Sequence, residues 1–240
     1  MNSLILRDAT GKITDTYVLT HIHKTLKLSL GDAVKCTVLN QGSGLGKVIE
    51  LNQNLCQLEI GPIIPGKRPW FDLVVGASRP PTCKKILEHA TTFGARSFHF
   101  FKSSLSEKSY LDSNLFGDNN YEEYLIAGLS QSVIYTQLPK FQITRYNPAD
   151  QYRPAPQKFI LDLKTDKSFL DADIDFSKPI TLAVGPERGF INDDLKPFHD
   201  ADFTSIKISS SILRVEHAVY SAISQLELLR LRSNKQGIYA

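Results

Sequence analysis

Cysteine, methionine and tryptophan are scarce in this 240-residue chain, numbering three, one and one. Cys36, Cys56 and Cys83 are scattered, odd in number and free of any Cys-x-x-Cys spacing. That pattern offers neither a disulfide framework nor a thiolate metal site, and it points to small buried hydrophobes in a reducing compartment. No apolar run approaches the length of a membrane span. The start, Met1 to Arg7, lacks a basic flank followed by a long apolar stretch, so a cytoplasmic location with no membrane contact is expected. His21, His23, His99 and His217 fall at no metal-ligand spacing with a third acid or thiol, and no metal is expected. A Gly-x-Gly-x-x-Gly fingerprint is also absent, which weighs against a nucleotide-dependent oxidoreductase. No internal repeat or low-complexity tract is present.

What is there is enough for a globular protein. Apolar residues make up 42% of the chain and aromatics 10%, sufficient to fill one large core or two modest ones. The net charge is only +3, and its distribution is uneven. Residues 1–70 hold eight basic side chains (Arg7, Lys12, Lys24, Lys27, Lys35, Lys47, Lys67, Arg68) against five acids (Asp8, Asp15, Asp32, Glu50, Glu59). With 28 basic and 25 acidic groups in all, the whole excess lies in that first segment. Two readings stand side by side: a module that touches phosphates, or an ordinary solvated surface.

The pattern of elements changes once along the chain. In the first part, residues 35–39, 46–51 and 55–60 read as strands, 40–44 as a hairpin loop, and 21–26 as a helical turn, which together suit a small β-barrel. Pro62, Pro65, Gly66 and Pro69 form a linker, placing the boundary between 1–68 and 69–240. From Trp70 onward strands and helices alternate. Strands are predicted at 71–76, 97–101, 159–163, 180–184 and 203–208, and helices at 84–93, 122–137 and 215–229. Such alternation implies an α/β domain with a largely parallel sheet.

Two segments carry the chemistry. The first is Val184-Gly185-Pro186-Glu187-Arg188-Gly189-Phe190, an apolar strand running into a glycine-bounded turn. The second is Ile212-Leu213-Arg214-Val215-Glu216-His217-Ala218, which follows a polar Ser209-Ser210-Ser211 turn and opens the last helix. In an open α/β sheet ligands bind beyond the carboxyl ends of strands, where both turns fall. Taken alone, a Gly-x-x-x-Gly turn after a strand also suits a plain structural turn.

These segments resemble the Gly-Pro-Glu-Gly-Gly loop and Ile-Leu-Arg-x-Glu block of the RsmE-type branch of the SPOUT RNA methyltransferases. Further back, His21-Ile22-His23-Lys24-Thr25-Leu26-Lys27-Leu28 with Gly31-Asp32 is similar to that family's N-terminal stretch. Residues 86–96 and Gln131-Ser132 ahead of Pro139 match more weakly. The resemblance implies a C-terminal SPOUT trefoil-knot domain with a mostly parallel sheet, an N-terminal PUA-like small β-barrel that binds RNA, and a homodimer whose contact draws on the apolar face of residues 215–229. It implies S-adenosylmethionine as cofactor, with Leu163, Gly185, Glu187, Gly189, Ile208, Ser211, Ile212 and Leu213 lining its site. The implied reaction is methylation of N3 of a uridine in small-subunit (16S) ribosomal RNA, on free RNA or an assembled subunit.

On that resemblance Arg214 is the candidate to stabilise the uracil anion, with Glu216 orienting it or sitting in the first helical turn. Both also suit a structural ion pair. His217 either accepts a proton or packs. Arg7, Lys24, Lys27 and Arg188 are the expected RNA contacts, Arg188 being alternatively just solvated. The chain departs from the family pattern at Lys27, His89, Thr92, Arg188, Ser209 and Ser210, and it lacks an Arg soon after Gln131. These departures lie mostly at substrate positions, so a different RNA target, or a non-catalytic RNA-binding or ribosome-assembly protein on the same fold, stands as the alternative.

Overall fold

The computed structural model describes residues 3–235 of the chain, the side chains of Asn234 and Lys235 excepted. It divides into two compact units. One runs to Arg68 and takes in Ile126–Leu138; the other is Pro69–Leu125 with the chain from Pro139 onward. Residues 126–138 thus group with the first unit, although the sequence assigns them to the second.

The first unit is a six-stranded sheet. Its strands are β1 (Leu4–Leu6), β2 (Lys12–Ile13), β3 (Ala33–Val38), β4 (Gly42–Leu51), β5 (Cys56–Ile60) and β6 (Ile64–Pro65). The order is β1-β3-β4-β5-β2, with β6 pairing β4; β1 runs parallel to β3 and the remaining pairs are antiparallel. Period-two alternation drives the closure, because Cys36 and Val38 of β3, Val48 of β4 and Cys56 and Leu58 of β5 are all buried in one core with Leu4, Leu6 and Ile13. Helix α1 (Thr16–His21) starts where the Asp15 carboxylate accepts a hydrogen bond from the Val18 N–H at 2.9 Å, and it continues as a π-helical turn, Ile22–Leu26. Leu19 and Ile22 of this segment plug the same core.

Two expectations for this unit need correction. The hairpin turn is residues 39–41 with Asn40 at φ 62°, while Gly42, Ser43 and Gly44 lie in β4. Glycine is required there for packing: a Cβ on Gly42 would stand 2.2 Å from the Ile64 carbonyl oxygen of β6, which crosses that strand. Helix α3 (Glu122–Ser132) ends five residues early. Val133 adopts a left-handed φ of 63°, and the chain then turns extended, donating Leu138 N–H to the Asn40 side chain and accepting Lys67 N–H at Ile134 and Asn40 N–H at Thr136. These backbone bonds outweigh continuation of the helix.

The second unit has a six-stranded, fully parallel sheet: β7 (Phe71–Gly76), β8 (Ala95–Phe101), β9 (Lys140–Thr144), β10 (Gln157–Leu161), β11 (Ile180–Val184) and β12 (Thr204–Ile206). Their order is β12-β10-β11-β7-β8-β9, so the winding reverses after β9. Helix α2 (Pro80–Thr92) begins four residues before the predicted start because Pro80 and Pro81 sit in its first turn, where proline suits the geometry. It packs against α5 (Val215–Lys235), where the His89 ring stacks on Tyr220, and it buries Ile86, Leu87 and Ala90. On the other face, Val74, Ile160 and Ala183 of the sheet pack with Leu195 and Phe198 of α4 (Asn192–Asp200). Edge strand β9 was not expected: only Thr144 of its residues is buried, which leaves no apolar run to read. Strand β10 ends at Leu161 rather than Leu163, and β12 is shorter than residues 203–208. Cys36, Cys56 and Cys83 are free and buried.

Candidate active site

The carboxyl ends of β10, β11 and β12 open into one cavity of about 300 Å³. Its wall includes Leu163, Gly185, Glu187, Gly189, Ile208, Ser211, Ile212 and Leu213, so the structure brings together every position expected to line the cofactor site. The convergence follows from register. Strand β10 lies between β11 and β12, so the residues that leave their three carboxyl ends face one crevice.

Each loop is fixed locally. Gly189 donates its N–H to the Pro186 carbonyl at 2.8 Å and adopts φ +71°, a left-handed conformation that favours glycine. A Cβ built there meets no atom within 4 Å, so the position faces open space. Glu187 Oε1 accepts the Arg79 backbone N–H at 2.9 Å, tying the turn after β11 to the start of α2. Across the cavity the Ile208 carbonyl accepts from Gln225 Nε2 of α5 at 2.9 Å, and the Ser209 hydroxyl accepts the Ser211 N–H at 3.0 Å. Ile212 is 86% exposed and Leu163 49%, so both present apolar surface at the rim. The wall is otherwise mainly apolar, with Val184, Phe190, Ile206, Val215 and Ala218. An apolar, glycine-lined recess with loop backbone on two sides suits an adenosine-bearing ligand.

Arg214 lies between two lining residues, Leu213 and Val215, and its carbonyl accepts the Ala218 N–H at 2.8 Å, which places it at the entry to α5. Its side chain is exposed and makes no hydrogen bond or ion pair among the described residues. Glu216 is in the first turn of α5, buried, and paired with Lys85 Nζ of α2 at 3.5 Å. No bond links it to Arg214. His217 is exposed. One turn on, the Tyr220 hydroxyl is buried without a hydrogen-bond partner among the described residues, and burial aided by the Glu216 and Glu88 carboxylates pushes its titration far up. Its ring stacks on His89, one of the positions where the sequence departs from the family pattern.

The expected RNA contacts are distributed. Arg7, Lys24 and Lys27 are exposed in the first unit, Lys27 with a left-handed φ of 51°; Arg188 is exposed on the cavity wall. Sequence reasoning missed Asp162, which also lines the cavity, and Lys85 as the partner of Glu216. Asp162 carried a faint signal, a charge inside an otherwise apolar strand end; Lys85 carried none. The apolar face of α5 is a correction: Val215, Val219, Ala222, Ile223 and Leu226 are buried within the chain, leaving Leu228 and Leu231 exposed on that helix.

The family model described as "RNA methyltransferase domain" matches residues 66–227. Ribosomal RNA small subunit methyltransferase E 1 of Borreliella burgdorferi is 30% identical over 208 residues, spanning 84% of this chain and 86% of its own. Ribosomal RNA small subunit methyltransferase E of Treponema pallidum is 27% identical, over 84% of this chain and 79% of its own. Among solved structures, a ribosomal RNA small subunit methyltransferase E from Neisseria gonorrhoeae bound to S-adenosyl methionine superposes with a TM-score of 0.80, covering 95% of this chain and 98% of that one at 17% identity. At that identity the likeness concerns the fold, and it bears out the expected PUA-like barrel and SPOUT α/β-knot domain.

Proposed function

Because this chain belongs to the ribosomal RNA small subunit methyltransferase E family, an RNA methyltransferase family that uses S-adenosylmethionine, we propose that it methylates N3 of a uridine in small-subunit (16S) ribosomal RNA. The observation that carries this reading is the convergence of both signature loops on one cavity at the strand ends. Within it the wall residues hold the cofactor: loop backbone around Gly185 to Gly189 and Ile208 to Leu213 meets the adenosine, and the open space at Gly189 lets the ligand pass close to the chain. When bound, the cofactor supplies an electrophilic methyl group on a sulfonium.

The chain's own task is alignment and the management of one proton. Methyl transfer is an in-line displacement, and most of its acceleration comes from holding acceptor and donor in register. The acceptor imide must lose its N–H. Arg214, a cation at the cavity edge with no partner among the described residues, faces the uracil carbonyls in this reading and favours the anionic base. Glu216 acts behind it, as an acid in the first turn of α5 that ties that turn to Lys85.

RNA is held by Arg188 at the cavity and by Arg7, Lys24 and Lys27 of the barrel. No helix among the described residues is long and apolar enough to cross a membrane, and the reading places the protein in the cytoplasm with the small ribosomal subunit. A homodimer belongs to the same reading, with Leu228 and Leu231 as the exposed apolar residues of α5 available to a second copy. The test is mass spectrometry of small-subunit RNA nucleosides, mapped by fragment, from cells with and without the protein. Loss of one N3-methyluridine is the expected result; an unchanged methylation profile, with cofactor still bound by the purified chain, would favour the non-catalytic assembly role.

A further inference from the structure

The charged side chains on the cavity wall are few, and they are not equivalent. Asp162, Glu187 and Arg188 are the charged residues that line it. Glu187 accepts the Arg79 backbone N–H, and the Arg79 guanidinium lies close enough for the two charges to stabilise one another. Asp162 has no such partner. One of its carboxylate oxygens, Oδ1, accepts the Lys164 N–H at 2.9 Å, and its own N–H donates to the Ile206 carbonyl of β12 at 3.0 Å, so the residue is held at both ends. Its second oxygen, Oδ2, makes no hydrogen bond, and no cation pairs with it among the described residues.

An ionised carboxylate at the edge of an apolar recess is tolerated while water reaches it. Once a ligand covers it, the lost hydration must be replaced by a donor or a positive charge, or affinity falls. A cavity of about 300 Å³ is small against the roughly 8 Å over which charges interact in physiological salt, so a cation anywhere inside it feels Asp162. The wall sets two carboxylates, Asp162 and Glu187, against one guanidinium, Arg188, so it favours a sulfonium over a phosphate-bearing nucleotide.

We propose that Asp162 is a specificity-determining residue that makes the cavity prefer the cationic methyl donor over its neutral, demethylated product. This rests on the cofactor reading above and adds to it a direction for ligand exchange. After transfer the sulfonium becomes a thioether, the attraction to Asp162 is lost, and the product leaves in favour of fresh donor. Asp162 touches neither the acceptor base nor the transferred methyl in this scheme, so its effect falls on ligand preference and product inhibition.

The decisive experiment is calorimetric titration of the full chain and of Asp162→Asn with S-adenosylmethionine and with S-adenosylhomocysteine. Asparagine keeps the carbonyl that accepts the Lys164 N–H and removes only the charge. The expected result is a loss of donor affinity on the order of tenfold, with product affinity changed much less and a smaller donor-to-product ratio. The lost donor affinity should shrink as salt is raised. Equal loss for both ligands would mean that Asp162 reads a group they share, and unchanged affinities would mean that it reads none; either overturns the proposal while leaving the cofactor site standing. A wild-type chain that binds neither ligand would overturn the cofactor reading and this proposal with it. Circular dichroism of the variant, matched to wild type, shows that the fold is intact; if it is not, Asp162→Glu, which retains the charge, should preserve the wild-type ratio, and failure to do so also overturns the assignment.

Discussion

Glu216 of α5 and Lys85 of α2 meet in a 3.5 Å ion pair in which the carboxylate is buried and the ammonium is half exposed. The pair separates two residues that the sequence sets two positions apart: Arg214 keeps a guanidinium unengaged among the described residues at the cavity edge, and Glu216 is buried in the helix packing. Two charges that flank Val215 in one motif therefore have different tasks, and each predicts a different result on removal.

For Glu216 the prediction concerns stability. The Lys85 side chain is 55% exposed and the distance is long, so the pair contributes little beyond the packing of the carboxylate itself. A double-mutant cycle with Glu216→Gln and Lys85→Met, followed by urea denaturation, should return a coupling of about 0.5–1 kcal/mol. Single-turnover methyl transfer by Glu216→Gln should stay within a few fold of wild type. A hundredfold loss of rate without loss of stability would instead make Glu216 part of the chemistry.

Gly189 gives a prediction on cofactor binding. At φ +71° an L-residue costs about 1–2 kcal/mol, so Gly189→Ala should lower stability by roughly that amount. Gly189→Val should in addition place a branched side chain where no atom now lies within 4 Å, in the space the cofactor is proposed to use. Calorimetry on the folded variant should find S-adenosylmethionine binding abolished for valine and weakened for alanine. Retained affinity in both would remove this turn from the site.

The sequence made the catalytic end of the second unit legible for a physical reason. Strands β7 and β11 are almost wholly buried and, apart from Asp72 and Thr181, apolar, and the two signature turns follow strand ends, so local composition located the turns, while the residues lining the cavity were legible through the family resemblance. Arg214 was legible as a charge; its freedom was not, because that depends on Glu216 being taken up by Lys85, 131 positions away. The same holds for the early end of α3, where the deciding bonds reach back to Asn40 and Lys67. The glycines at 42 and 44 looked like a loop because nothing local shows that β6 would cross them. Contacts between distant segments were invisible in each of these cases, while periodicity within a segment was readable.

His99 carries a pH prediction. It is buried in β8, with Nδ1 3.0 Å from the Tyr152 hydroxyl and Nε2 3.0 Å from Thr144 Oγ1. Thr144 Oγ1 donates its single proton to the Tyr146 carbonyl, so it accepts from Nε2–H, and Nδ1 accepts from Tyr152. Both nitrogens are satisfied only in the neutral ring. Burial lowers the His99 pKa from 6.5 to about 4, so between those values the unfolded chain binds a proton that the folded chain does not. Stability from this site is fully present above pH 6.5 and is lost as the pH falls toward 4, by a total on the order of 3 kcal/mol. Urea denaturation from pH 4 to 8 should show that slope in wild type and a shallower one in His99→Gln.

Salt dependence tests the barrel's part in RNA binding. Lys24 and Lys27 are exposed, and Lys27 sits in a left-handed conformation that asparagine accepts readily, so Lys24→Ala with Lys27→Asn removes two charges with little backbone cost. If both contact phosphate, the plot of log affinity against log salt should flatten by about 0.7 per contact on single-stranded RNA. An unchanged slope in a folded variant would leave the positive excess of the first seventy residues as ordinary solvated surface.

The last prediction concerns Arg214 and separates an enzyme from a binding protein. Its guanidinium is exposed and unbonded among the described residues, so Arg214→Ala should leave thermal stability within about 0.5 kcal/mol of wild type. If that cation stabilises the developing uracil anion, the same variant should transfer methyl on the order of a hundredfold more slowly. Cofactor affinity should change far less, because the interaction is realised mainly in the transition state. Arg214→Lys should recover only part of the rate, since a point charge cannot reproduce a planar two-pronged contact with the acceptor carbonyls. Raising the pH should narrow the gap between Arg214→Ala and wild type, because a base already deprotonated in solution has less need of the cation that favours its anion. The measurement is single-turnover transfer to small-subunit RNA at saturating cofactor across a pH series. A wild-type rate in Arg214→Ala at neutral pH would end the assignment, and a wild-type chain that binds cofactor and RNA yet transfers nothing to free RNA or to subunits would place it among assembly factors.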